Sequence, residues 1–226
     1  MLLLSGHCTL RGRRKTGKKI PVPAWKNSPL TFILIALNVG VYILMALKGG
    51  DFMQPGGRNL VAWGANFAPL TIGHGELWRL FTSMFLHGSV MHLAINMYSL
   101  YSVGSMVEIL GGRKKYLAIY LVCGLLGSIA SVAFNAMRAH PGISIGASGA
   151  IFAIYGFFLV LMWLRKDLVH PGARRQILQS GAFFIAINLF LGFMSSGIDN
   201  AAHIGGLAGG IVAGLLLAHG VRPAAR

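Results

Sequence analysis

One serine and one histidine, each set among glycines in an apolar stretch, carry the strongest chemical signal in this sequence. Residues 143–156 read ISIGASGAIFAIYG, with Ser148 between Gly146 and Gly149. Residues 199–210 read DNAAHIGGLAGG, with His203 followed on its own helical face by Gly206 and Gly210, and then by Gly214. A third stretch, residues 86–100, reads LHGSVMHLAINMYSL and holds His87, His92 and Asn96. A serine hydroxyl is a weak nucleophile until a base within hydrogen-bond reach takes its proton. A tetrahedral intermediate then needs donors aimed at its oxyanion. Ser148, His203 and the His92/Asn96 pair have the types for acyl transfer, with the Ser148 backbone N–H as a further donor. The plain alternative for Ser148 is packing, because small residues let apolar helices approach and a serine can bond its own backbone.

These residues lie in a chain of 226 residues that is 55% hydrophobic and 11% charged, with a mean hydropathy of +0.66. Soluble domains carry about 25% charged residues, so this composition points to an all-α polytopic membrane protein. Six stretches approach the ~20 apolar residues that a spanning helix needs: 29–47, 80–103, 116–136, 147–164, 177–195 and 200–219. Ser28 is the expected N-cap of the first, with Pro29 at its first position. The basic residues then sort themselves. With six spans and both termini in the cytosol, 7 + 3 + 4 + 2 = 16 Lys and Arg fall on the cytosolic side and 4 on the other. This satisfies the positive-inside rule. The chain divides into a basic tail (1–28), a six-span core (29–219) and a short tail (220–226).

The net charge of +15 does not point to nucleic acid, since the run RGRRKTGKK sits just before the first span and has no interleaved aromatics. The N-terminal MLLLSGHCTL lacks the basic start and the length of a signal peptide. Cys8 and Cys123 belong to the tail and to a span, so no disulfide is expected, and no Cys/His cluster suggests a metal. The long first outer loop, about 48–79, mixes glycines with Trp63, Phe67 and Trp78 and suits the membrane interface.

Polar residues inside spans are costly and therefore functional candidates. His92 and Asn96, four apart, share a face, whereas His87 is off that face and reads as structural, with a bond to the outer loop as its expected role. Asn188 stands alone in the fifth span. The glycines following His203 match Gly149, Ala153 and Gly156 of the fourth span, so these two helices are expected to pack face to face. Ser148 and His203 both sit in the first turn of outward-starting spans, so they share a depth in the outer half. His92 falls about 12 residues into the second span. Asp199, four before His203, reads mainly as a helix cap, with an orienting carboxylate as the other reading.

These motifs together resemble the rhomboid intramembrane serine proteases: GASG around Ser148, AHIGG around His203, HGSVMHLAIN in span two and ELWR before it, covering about residues 65–214. The resemblance implies a six-transmembrane-helix rhomboid-like bundle in its core form. It implies a Ser–His dyad, with Ser148 as nucleophile and His203 as base. His92 and Asn96 match the family's oxyanion positions, Gly146 helps shape the oxyanion site, and Trp78 and Arg79 match a structural motif of the first loop. Some members carry a tyrosine one turn after the nucleophile that stacks on the histidine; here it is Phe152, whose ring can still pack. Expected substrates are membrane-anchored proteins cut in or near a spanning segment, with no cofactor. The expected location is a bacterial inner membrane, and oligomeric state is left open. Two rivals remain: an inactive rhomboid-like client binder, and a small transporter, against which the absence of an inverted repeat and of mid-membrane acids argues.

Overall fold

The computed structural model describes residues 24–49, 51–139, 141–195 and 197–221. Most of the basic N-terminal tail, with Cys8, and residues 222–226 of the C-terminal tail lie outside the described residues. Cys123 is buried.

The expected all-α bundle is present, and the main helices among the described residues are α1 (Pro29–Gly49), α2 (Val90–Gly111), α3 (Arg113–Ala136), α4 (Ser148–Leu164), α5 (Pro171–Met194) and α6 (Asn200–Leu217). All but α4 are long and apolar enough to cross a membrane; α4 has 17 residues. α4 forms the centre of the bundle. Ala153, Ile154, Phe157 and Leu161 are fully buried there. α5 is the opposite case, with Gly181 its one buried residue among those described.

Two boundaries differ from expectation for physical reasons. α2 begins at Val90 rather than near residue 80. Residues 79–85 form a short helix (Arg79–Thr82) and a tight turn (Ser83–Phe85), and the chain then leaves the helical conformation at Leu86 and bends at residues 88–89. Ser89 accepts the His92 N–H at 3.1 Å, which is an N-cap. Hydropathy reads straight through this break because Phe81, Met84, Phe85 and Leu86 are apolar. At the start of α1, Ser28 bonds Ser105 through its hydroxyl at 3.2 Å. The orphan amides of Leu30 and Thr31 donate to the Glu108 carboxylate at 3.0 and 2.8 Å, and the Thr31 hydroxyl adds a third bond at 2.8 Å. Glu108, buried near the end of α2, therefore caps the start of α1 and ties α1 to α2.

The face-to-face packing of α4 and α6 is present at backbone contact. A Cβ on Gly206 would collide with the Gly149 carbonyl, and one on Gly210 with the Ala153 carbonyl. From the other side, a Cβ on Gly156 would lie 2.7 Å from the Leu207 carbonyl oxygen. Gly205 and Gly209 serve a second contact, meeting Ala130 and Cys123 of α3. α6 is thus held between α3 and α4, and any bulk on either face would push it out.

A small sheet, unforeseen in the sequence, anchors the segment leading into α4. β1 (Asn66–Phe67) pairs antiparallel with β2 (Ile143–Ser144), with Asn66 opposite Ser144. The loop carrying β1 is fastened in turn. Asn66 Nδ2 donates to the Ser128 carbonyl of α3 at 2.9 Å. Arg79, buried, donates through Nε to Glu76 at 2.6 Å and through one guanidinium nitrogen to the carbonyls of Val61 and Ala65 at 2.7 and 3.2 Å. Its guanidinium lies over the Trp78 ring, 4.6 Å from the centroid. Thr82 donates to the Gly64 carbonyl at 2.8 Å. The Trp78–Arg79 pair is therefore a buckle that closes the long loop before α2 on itself.

Candidate active site

Three helices begin at one place. Ser148 is the first residue of α4, His203 lies in the first turn of α6, and His92 lies in the first turn of α2. The expectation that His92 sits a dozen residues into its span is corrected by the later start of α2. The correction brings all three side chains to equivalent positions on their helices.

Ser148 Oγ lies 2.9 Å from His203 Nε2 across 55 residues of sequence. With its proton on Nδ1, a neutral imidazole presents Nε2 as the acceptor of the serine proton. His203 is buried and stacked on Phe152, the rings nearly parallel (4°) with centroids 4.2 Å apart. Phe152 in turn meets Phe184 of α5 at 6.0 Å. The phenyl ring packs where the sequence led one to expect it.

Asp199 is a cap. Its carboxylate accepts the Ala202 N–H at 3.0 Å and a short bond from the Ser131 hydroxyl of α3. His203 Nδ1 has no hydrogen-bond partner among the described residues, so no orienting carboxylate completes a triad.

Gly146 adopts φ +115°, a conformation that side-chain-bearing residues avoid. A Cβ there would lie 2.9 Å from His92 Nε2 and 3.7 Å from Asn96 Nδ2. Both nitrogens therefore converge on the turn two residues before Ser148. Asn96 is buried and its Nδ2 is unpaired among the described residues. A buried donor without a partner costs on the order of 1–3 kcal/mol, which marks it as held for something other than packing. The Gly146 N–H donates to the Ser83 carbonyl at 2.9 Å, fixing this turn against the segment that precedes α2. Ser148, as the first residue of α4, adds one of the N–H groups that a helix start leaves without an intrahelical partner. A hydroxyl, an imidazole and converging polar side chains thus meet at one turn, an arrangement that could support acyl transfer chemistry.

His87 precedes α2 and is fully buried. Its ring sits edge-on to His92 with centroids 5.0 Å apart, and among the described residues it makes no hydrogen bond to the long loop before α2, which was expected of it. Sequence reading passed over Ser131 and Asn135. Asn135 Nδ2 donates to the Ser131 carbonyl at 3.1 Å, and its Oδ1 accepts the Gly142 N–H at 3.0 Å. With Asp199, these two connect the start of α6 to the segment entering α4. The signal was available, since two polar residues four apart in GSIASVAFNA interrupt an apolar span. Asn188 donates to the carbonyl of Phe184 one turn back and takes no part in the site. No group of three or more His, Cys, Asp or Glu among the described residues could hold a metal ion.

A sequence model of the Rhomboid domain matches residues 74–220. Rhomboid protease GluP of Bacillus subtilis is 41% identical over 207 residues, covering 91% of this chain and 38% of the relative. RHOMBOID-like protein 1 of Arabidopsis thaliana is 32% identical over 182 residues, covering 80% of this chain and 45% of the relative. Rhomboid protease AarA of Providencia stuartii is 32% identical over 215 residues, covering 86% of this chain and 75% of the relative. The chain therefore spans less than half the length of the first two.

Proposed function

The chain belongs to the rhomboid family, and from that membership we propose that it is an intramembrane serine endopeptidase cutting membrane-anchored proteins with a Ser148–His203 dyad. The observation that carries the proposal is the 2.9 Å contact between Ser148 Oγ and His203 Nε2 at the heads of two helices in backbone contact.

The proposed reaction runs in two halves. His203 Nε2 takes the Ser148 proton as Oγ attacks the scissile carbonyl. The oxyanion so formed accepts hydrogen bonds from His92, Asn96 Nδ2 and the Ser148 N–H, and the convergence of the two side chains on Gly146 supports the assignment. His203 passes its proton to the departing amine, leaving an acyl-enzyme. Water then gives its proton to His203 and attacks the ester, and Ser148 recovers its hydrogen as the carboxyl product leaves. Phe152 holds the imidazole plane by stacking. Gly146 keeps the oxyanion turn open, and Trp78 with Arg79 keeps the outer loop folded above it.

In this reading α4 is also a crossing, the fourth of six, and residues 29–219 are the protease core between two cytosolic tails in a bacterial inner membrane. The 16-to-4 distribution of basic residues supports that orientation. At 17 residues α4 stands at the short limit for a span, which suits a helix whose first residue must meet water below the membrane surface. Substrates are single-span or otherwise anchored proteins with small residues near the cut.

The test is cleavage of a single-span substrate with an Ala-rich upper segment, beside Ser148→Ala. Cutting by wild type alone supports the proposal, and equal cutting by both removes Ser148 from it. If neither cuts, a fluorophosphonate probe decides. Labelling of wild type alone keeps the dyad and discards the substrate, whereas no labelling favours the inactive client binder.

A further inference from the structure

α5 leaves a groove that the proposed chemistry does not use. Its wall is formed by Gly156 and Trp163 of α4, Leu178, Ala182 and Leu189 of α5 and Leu207 of α6, and it encloses about 610 Å³. It is almost wholly apolar and open outward. The cause lies in the sequence: Gly156, Ala182 and Ala186 are too small to close the space between helices. Water would not be retained there, and in a bilayer such a groove is filled by hydrocarbon.

Length and charge identify what fills it. From Leu178 to Leu189 is 11 residues, roughly 16 Å of helix. That is about half the ~30 Å hydrocarbon core, or the depth of one leaflet. A spanning helix of a partner would overrun it. Basic residues gather at one end, where the carboxylate of Asp167 is paired with Arg165 at 2.8 Å. Arg175 is one turn before Leu178 on the same face of α5, and Lys166 is three residues after Trp163; both are exposed. Arg174 closes that end by donating to the carbonyls of Met162 and Trp163 at 2.6 and 3.2 Å. Trp163 is 60% exposed at the same level, where an indole suits the membrane interface.

We propose that this groove is a binding site for one anionic phospholipid of the leaflet on the basic side, its acyl chain between α4, α5 and α6 and its phosphate between Arg175 and Lys166. The lipid stands in for the packing that α5 lacks, with Gly181 its one buried residue among those described. The proposal is independent of catalysis at Ser148.

The test places the full chain in nanodiscs of phosphatidylcholine containing a minor fraction of dibrominated lipid, and reads the quenching of Trp163 as the difference between wild type and Trp163→Phe. Each basic residue near a headgroup is worth roughly fivefold in association, so two favour brominated phosphatidylglycerol over brominated phosphatidylcholine by about 25-fold. The excess is expected to vanish in Lys166→Gln/Arg175→Gln, two surface changes. Equal quenching by both lipids in wild type overturns the proposal, leaving only annular lipid. So does an excess that survives the double substitution, which puts the anionic lipid elsewhere. Protection of Trp163 from both lipids also overturns it, because a protein partner or a second copy then covers the groove.

Discussion

Gly206→Ala adds one methyl group at the tightest place between α4 and α6. The new Cβ would fall 2.8 Å from the Gly149 carbonyl carbon and 3.2 Å from its Cα, and closer still to the carbonyl oxygen. Reaching ordinary contact at about 3.4 Å requires ~0.6 Å at the carbon and more at the oxygen. Both partners are backbone, so the helices must part by roughly 1 Å. His203 is one turn from Gly206 on α6, and Ser148 adjoins Gly149 on α4. The same displacement stretches the 2.9 Å contact to about 3.9 Å, past hydrogen-bond reach. A misplacement of about 1 Å costs roughly 10²-fold in catalysis, and overpacking costs about 1–3 kcal/mol of stability. The assay is kcat/KM on the single-span substrate beside a thermal melt in detergent. Gly40→Ala, where a Cβ meets nothing within 4 Å, is the matched control and is expected to keep wild-type activity. Wild-type turnover by Gly206→Ala, with an unchanged melt, would refute the claim that glycine packing sets the dyad distance.

Asn96→Ala removes the unpaired buried donor and is expected to lower kcat by roughly 10²–10³-fold with little change in KM, read by initial rates over a substrate series. Phe152→Tyr keeps the ring against His203 and should stay near wild type. Phe152→Ala loses a stacked pair worth about 0.5–1.5 kcal/mol, or roughly 2- to 12-fold in fluorophosphonate labelling rate. Glu108→Gln weakens charge-assisted bonds to the start of α1 and should destabilise the fold by about 1–3 kcal/mol in a thermal melt, with turnover per folded molecule unchanged. Gly146→Ala forces a side chain into a left-handed turn facing His92, and is expected to abolish cleavage while the helix content seen by circular dichroism persists.

Much of this protein follows from local pattern. Apolar runs and sparse charge make a helical membrane bundle, because a backbone in lipid must satisfy its own hydrogen bonds. The glycines at Gly206, Gly210 and Gly214 mark one face of α6 as a contact surface by spacing alone. The pairing of Ser148 with His203 was legible for the same reason: each stands at the head of a small-residue stripe, and the two stripes meet face to face. What local pattern could not supply was set by contacts between distant segments. α2 starts at Val90 because Ser89 caps it, although the hydropathy ahead of the break is as high as in a span. Glu108 captures the start of α1 from 77 residues away. Ser131 meets Asp199 across 68 residues, and β1 meets β2 across a gap that no periodicity reports. Periodicity tells which side chains share a face of one helix. Which carboxylate reaches which amide, and whether a hydroxyl comes within 2.9 Å of an imidazole, depends on how closely two backbones approach, and only the packed bundle decides that.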